Sequence, residues 1–158
     1  MENKFIRGGF TLLTPNVIAN NFIKKSLDEN IPVTPLKLQK LVYFLYAKYL
    51  KETNRKLFTE RFETWKYGPV IPSIYAEFNS YQNKPIKTMS KDSTGKSYRA
   101  SEIDEFGKCI DEVWETYKNY TGSALSDMTH EPDTAWTKAK EEGNLYLKDE
   151  DIKNEKMV

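Results

Sequence analysis

One apolar stretch, TPLKLQKLVYFLYAKYL at residues 34–50, decides the fold. Thr34 can cap the free amides of a helix and Pro35 suits the first helical position, so a helix is predicted to begin here. Its apolar side chains recur at i, i+3, i+4 and i+7, and additional aromatic residues widen the stripe beyond one face. A helix with this pattern is predicted to lie at the centre of the core. Its main exposed charges are predicted to be Lys37, Lys40 and Lys48.

Further helices are predicted on both sides of this stretch. Thr14-Pro15 repeats the same start signal, and the stretch 28–30 should end that helix. Pro72 suits the first turn of another helix. Later start signals are Ser101 as a cap, Gly122, Pro132 and Asp149 as a cap, and Gly143 is a stop signal.

The β content is predicted to be small. Residues 62–67 alternate weakly and favour a short strand, which Gly68-Pro69 should end in a turn. Residues 82–100 are predicted to form a basic loop with a short hairpin around 93–95, and 145–147 a short extended piece. Together, the helix and strand signals predict a mainly α, compact single-domain bundle of about five to six helices with a minor short β-hairpin or extended segment. We divide the chain into an N-terminal extension (1–13), one domain (14–155) and a frayed C-terminus (156–158).

The formal net charge of +1 hides an uneven distribution. Residues 1–100 contain 17 basic and 8 acidic side chains, a net of +9, whereas residues 101–158 contain 7 and 15, a net of −8. The single cysteine excludes an internal disulfide, which predicts a cytoplasmic protein. The longest uncharged apolar run, residues 41–47, is too short to cross a membrane.

Three segments carry a resemblance to a known family. They are TPLKLQKLVYF (34–44), FETWKYGPVIPSIY (62–75) and LSDMTHEPDTAW (125–136). In order and spacing they resemble the Panacea domain, which includes SocA-like antitoxins and phage-associated GepA-like proteins. The resemblance implies a non-enzymatic antitoxin that neutralises a cognate toxin by direct binding. In the SocA branch it implies a proteolytic adaptor that delivers the toxin to a AAA+ protease.

The motif residues divide into two groups of candidates. Exposed aromatic and basic side chains suit partner binding, because Trp and Tyr are enriched at binding hot spots. The partner-binding candidates are Lys37, Lys40, Trp65, Tyr67, Pro69, Val70 and Tyr75. The other motif residues are interpreted as structural: Leu38, Gln39, Leu41, Tyr43, Gly68, Leu125, Ser126, Thr129, His130, Pro132 and Trp136.

We expect no catalytic residue, metal or cofactor. His130 is the only histidine, and one imidazole with nearby carboxylates is a poor zinc site. Ser126 and His130 are four residues apart, but nucleophilic catalysis also needs a group that orients the base and an oxyanion site. No nucleophile elbow of the G-x-S-x-G type occurs in the sequence.

Two other functions stay open. A phage or prophage protein that binds a host or defence protein would need the same kind of surface. A nucleic-acid-binding module could use the +9 half for phosphate contacts, although the −8 half would repel a polyanion. The two charged halves also allow a head-to-tail contact between copies, and therefore a homo-oligomer.

Overall fold

The computed structural model describes residues 13–100 and 105–156. These residues contain seven α-helices and one β-hairpin. The elements are α1 (Pro15–Glu29), α2 (Pro35–Thr53), β1 (Glu63–Trp65), β2 (Gly68–Val70), α3 (Pro72–Phe78), α4 (Glu105–Tyr117), α5 (Gly122–Thr129), α6 (Ala135–Glu142) and α7 (Asp149–Asn154). A 3-10 turn over Asn79–Tyr81 follows α3. The predicted mainly α fold with a minor hairpin is confirmed. The number of helices exceeds five to six because α7 is a short helix in its own right.

The two Thr-Pro pairs start α1 and α2 as predicted. Thr14 Oγ1 accepts a hydrogen bond from Val17 N at 3.2 Å, and Thr34 Oγ1 accepts one from Lys37 N at 3.3 Å. In each helix proline occupies the first turn, where its missing N–H costs nothing. α1 ends where Asn30 adopts a left-handed φ of 57°, within the predicted boundary.

α2 lies at the centre of the core, as its apolar pattern predicted. Leu38, Leu41 and Leu45 are completely buried, and α2 contacts α1, α3, α4, α5, α7 and β2. The rings of Tyr43 and Phe62 meet edge to face, with their centroids 5.1 Å apart. The additional aromatic residues therefore bring α2 into contact with elements on several sides.

The β-hairpin follows α2 and turns two residues earlier than predicted. β1 and β2 are antiparallel, with Trp65 opposite Gly68, so the turn consists of Lys66 and Tyr67. Gly68-Pro69 belongs to β2 and does not form the turn. The extended piece at 145–147 is confirmed, since Tyr146 forms a bridge with Glu63 on the outer edge of β1.

The basic loop at 82–100 is attached to α1 by two buried asparagines. Asn20 Nδ2 donates to Ser90 O at 3.0 Å, and Asn21 Nδ2 donates to Ala100 O at 3.2 Å. The predicted hairpin around 93–95 is a closed turn without flanking strands.

Two helix starts in the second half differ from the prediction. α6 begins at Ala135 rather than Pro132, because the side chain of Thr134 caps it by accepting from Thr137 N at 3.1 Å. Asp149 is the first residue of α7 and not its cap, since the cap position is taken by Lys148.

Some predictions fall on residues outside the described ranges. These are nearly all of the N-terminal extension (1–13), the cap at Ser101 and most of the frayed end (156–158). Within the described ranges, no helix combines the length and apolar character needed to span a bilayer.

Candidate functional site

Three side chains from the third motif hold the turn of the hairpin. Trp136 Nε1 donates to the carbonyl of Trp65 at 2.8 Å, and Ser126 Oγ donates to the carbonyl of Tyr67 at 2.5 Å. Between them, His130 Nε2 lies 3.0 Å from the carbonyl of Lys66. Three consecutive carbonyl oxygens of the turn are therefore bound by α5, by the residue that follows it and by α6.

The ring of His130 sits between two carbonyl oxygens. Its Nδ1 lies 2.6 Å from Ser126 O, on the side opposite to the contact with Lys66. Because a carbonyl oxygen only accepts, the doubly protonated ring donates to both partners and a neutral ring to one. The ring also meets the indole of Trp136, with centroids 3.9 Å apart. His130 is thus a packed residue of the hairpin support.

The first motif binds the other strand of the hairpin and the residue that follows it. The side-chain amide of Gln39 accepts from Ile71 N at 2.9 Å and donates to Ile71 O at 3.1 Å. It therefore pairs with both backbone polar groups of Ile71. Lys40 Nζ donates to Pro69 O at 3.0 Å. All three motifs therefore meet at the hairpin, although they lie far apart in the sequence.

Gly68 allows this close approach. Its φ of +112° is unfavourable for residues with a side chain. A Cβ at this position would lie 2.5 Å from Thr129 Oγ1 and 2.9 Å from Lys40 Cε. Only glycine lets the strand pack directly on both side chains.

The prediction that Lys37 and Lys40 are exposed is wrong. Lys37 is 5% exposed and Lys40 is 0% exposed. Lys37 Nζ donates to Lys118 O just past the end of α4, where a cation compensates the free carbonyls of the helix terminus. Burial lowers the pKa of both amines, and that of Lys40 to about 7. Neither side chain can bind a partner in this structure, because the hairpin, α4 and α5 cover that face of α2.

Pro69 and Val70, which were also named as partner-binding candidates, are buried. β2 lies against α2 and α5, which removes both side chains from the surface. Val70 contributes only to the floor of a groove described below.

The remaining motif residues are placed in the support. Leu38, Leu41 and Leu125 are in the core, and Thr129 Oγ1 donates to Ser126 O at 2.6 Å. Pro132 lies in the exposed turn before α6. The remaining motif tyrosine, Tyr43, donates its hydroxyl to Glu155 Oε1 at 2.7 Å.

The aromatic candidates are accessible. Tyr67 is 60% exposed at the hairpin turn, and Tyr75 is 46% exposed on α3. Trp65 is half-buried, and its ring meets that of Tyr75 at a centroid distance of 4.9 Å. Its indole N–H donates to Glu63 Oε1 at 2.8 Å, which fixes the ring at the edge of β1.

These rings border a groove of about 510 Å³ between the start of α2, the hairpin and α3. We call it the aromatic groove. Most of its lining is apolar, and Lys66 is its only charged residue. It is lined by Pro35, Leu36, Gln39, Trp65, Lys66, Tyr67, Val70, Ile74, Tyr75, Asn79 and Gln82.

A second groove of about 360 Å³ adjoins the first at Tyr67 and lies against α5. We call it the polar groove. Its lining is Leu36, Lys66, Tyr67, Ser123, Ser126, Asp127 and His130. Sequence reasoning did not select Leu36, Lys66 or Asp127. The position of Lys66 next to Tyr67 in the W-x-Y-G-P-V segment was the available signal for Lys66.

Ser126 and His130 do not pair with each other's side chains. The hydroxyl of Ser126 donates to Tyr67 O, and both ring nitrogens of His130 face carbonyl oxygens. A nucleophilic serine would instead donate to the base. Over residues 13–100 and 105–156, no three His, Cys, Asp or Glu side chains are grouped as metal ligands.

Comparisons with known proteins match this chain to one family. Residues 38–137, more than half of the chain, match the family described as "Antitoxin SocA-like, Panacea domain". The chain is 39% identical over 69 residues to Antitoxin SocA of Caulobacter vibrioides. That alignment covers 44% of this chain and spans 37% of the length of the relative. No solved structure matches the chain.

Proposed function

Because this chain belongs to the antitoxin SocA-like Panacea domain family, we propose that it is a non-enzymatic antitoxin. In this proposal it acts in the cytoplasm and neutralises a cognate toxin by binding it directly. The contact surface is the aromatic groove, and the three motifs serve to hold that surface in shape.

The observation that carries the proposal is that Tyr67 and Tyr75 are exposed on and beside a hairpin that the three motifs hold in place. Tyrosine supplies a large contact area at low conformational entropy, which is why it is enriched in binding surfaces. The hairpin backbone is already ordered by hydrogen bonds from α2, α5 and α6, so little further ordering is needed on binding. A preformed apolar groove beside exposed aromatic rings suits a protein segment.

Delivery of the bound toxin to a AAA+ protease is a further step that the same surface allows. It predicts that the toxin disappears faster in cells that contain both the antitoxin and the protease. Stable toxin in an inactive complex would instead support neutralisation by binding alone. A gene neighbourhood made up of phage genes without a small toxin gene would favour the alternative of a phage protein with a host or defence partner.

The nucleic-acid alternative has weaker support. Two lysines of the basic half, Lys37 and Lys40, are buried. Lys25 of α1 pairs with Asp111 of α4 at 2.5 Å, so an acidic residue of the second half neutralises a basic residue of the first. The +9 half is therefore partly neutralised inside the molecule.

Co-expression with the product of the adjacent gene tests the proposal. We expect the wild-type chain and Tyr120→Ala to restore growth, and Tyr75→Ala to restore it poorly. Tyr120 is a matched control, because it is 44% exposed but lines neither groove. With purified proteins, Tyr75→Ala should weaken the complex about tenfold or more, as expected for a hot-spot tyrosine. An adjacent gene product that neither inhibits growth nor binds the wild-type chain would contradict the proposal.

A further inference from the structure

The aromatic and polar grooves adjoin each other, and we refer to the two together as the cleft. Both linings contain Leu36, Lys66 and Tyr67, so these residues mark where the two grooves meet. The cleft therefore combines two grooves of different chemistry that meet at one exposed side chain, Tyr67.

The end formed by the aromatic groove suits aliphatic or aromatic anchors. Its walls are Trp65, Ile74 and Tyr75, and its lining contains no acidic residue. The nearest acid along β1 is Glu63, whose carboxylate accepts from the indole of Trp65 at 2.8 Å. Apolar side chains can fill this end without burying an unpaired charge.

The other end carries two charges of opposite sign. Lys66 lies at the junction of the grooves, and its Nζ is 5.5 Å from the centre of the Tyr67 ring. Asp127 lines the polar groove only. Both residues are exposed, and neither forms an ion pair with another residue of the described ranges. Each is free to pair with a charge on a partner.

We propose that the cleft binds one amphipathic segment of the toxin, with its chemistry in a fixed order. Apolar side chains occupy the aromatic groove, a carboxylate meets Lys66 at the junction, and a cationic side chain meets Asp127 in the polar groove. The order follows from which groove each residue lines, with Lys66 in both and Asp127 in the polar groove only, and from electrostatic complementarity with the partner. This inference rests on the proposed function.

Charge reversals at the two positions test it. The probe is the purified product of the adjacent gene, and its affinity is measured by titration calorimetry with the wild-type chain, Lys66→Glu and Asp127→Lys. We expect each reversal to raise Kd about tenfold in 50 mM NaCl and less than about threefold in 500 mM NaCl, because salt screens rim charges. Circular dichroism of each variant should match the wild type, since both side chains are exposed.

Matched controls separate a local contact from a general charge effect. Lys91→Glu and Glu141→Lys make the same changes at exposed positions that line neither groove, and they should leave Kd unchanged. If the controls weaken binding as much as the cleft variants, the toxin responds to overall charge and the inference is wrong.

The other outcomes are distinguishable. Binding that Tyr75→Ala weakens but both reversals leave intact overturns this inference and keeps the proposed function. No binding to the wild-type chain overturns the proposed function, and this inference with it. If the chain alone sediments as a dimer that Tyr67→Ala dissociates, a second copy occupies the cleft, which also overturns the inference.

Discussion

Lys40 is unusual among the residues of this protein because its amine is buried. Its amine is completely buried, it donates to Pro69 O at 3.0 Å, and no carboxylate of the described residues pairs with it. Burial lowers its pKa from 10.5 to about 7. The same amine would titrate near its ordinary pKa in the unfolded chain, so the stability of the fold is linked to pH.

Replacing Lys40 with methionine should remove that linkage. Between pH 7 and 10.5 the unfolded chain binds the extra proton, so the free energy of unfolding of the wild type rises with pH. The slope approaches about 1.4 kcal/mol per pH unit, and below pH 7 it vanishes because both states are protonated. From pH 7 to pH 9, we expect the wild type to gain about 2 kcal/mol relative to Lys40→Met in urea unfolding.

The exposed lysine Lys140 is the control for this experiment. Lys140→Met should follow the wild-type pH profile. A constant difference between the wild type and Lys40→Met over this pH range would mean that the buried amine keeps its proton in the folded state.

At the scale of elements, the hairpin depends on its neighbours. Its strands have three residues each, too few for a hairpin to be stable alone in water. Side chains from α2, α5, α6 and residue 130 supply the hydrogen bonds that hold it. The polar residues of the motifs are therefore required for the shape of the surface, and the exposed rings are available for binding.

Gly68→Ala tests how closely the hairpin packs on its support. The new Cβ would meet Thr129 Oγ1 and Lys40 Cε, and the φ of +112° adds backbone strain. We expect the free energy of unfolding to fall by about 3 kcal/mol, as the sum of backbone strain and overpacking. Chemical denaturation measures this loss.

Gly95→Ala separates the two causes. Gly95 also has a positive φ, of +85°, but a Cβ there would meet nothing within 4 Å. The free energy of unfolding of Gly95→Ala should therefore fall by only about 1 kcal/mol, from backbone strain alone. Equal losses in the two variants would show that strain alone, and not the contact with Thr129, makes glycine necessary at Gly68.

At the scale of the whole molecule, the uneven charge distribution joins the two halves of the chain. Lys48 of α2 lies 3.7 Å from Glu112 of α4, and Lys56 lies 3.5 Å from Asp149 of α7. Such exposed pairs contribute little each. Lys51 of α2 joins the two halves more strongly than these ion pairs. Its Nζ donates to Ile152 O at 3.0 Å, to Lys153 O at 2.7 Å and to Glu155 O.

We expect Lys51→Met to cost more stability than the loss of an ion pair. Lys51 binds three carbonyls at the end of α7, and these groups would lose their donor together. Thermal or urea unfolding should show a loss of about 2 kcal/mol. Lys25→Met, which breaks the exposed pair with Asp111, should cost less than about 1 kcal/mol. Similar losses in both variants would contradict a special role for Lys51.

Local signals predicted much of the fold. The Thr-Pro pairs placed the starts of α1 and α2 because capping and proline geometry act within a few residues. The apolar pattern of 34–50 placed α2 in the core for the same kind of local reason. At the site, the W-x-Y-G-P-V segment drew attention to Tyr67, and the structure exposes this side chain and that of the nearby Tyr75, whose roles in binding stay predictions.

Long-range packing decided the rest. The sequence by itself determined the helices, the central position of α2 and the residues of the three motifs. Only the tertiary structure decided that Ser126, His130 and Trp136 bind the turn carbonyls, across separations of 59, 64 and 71 residues. It also buried Lys37 and Lys40, because a helix pattern does not reveal which neighbours cover its polar face. Hydrogen bonds of this kind depend on how distant segments pack, and no local pattern carries that information.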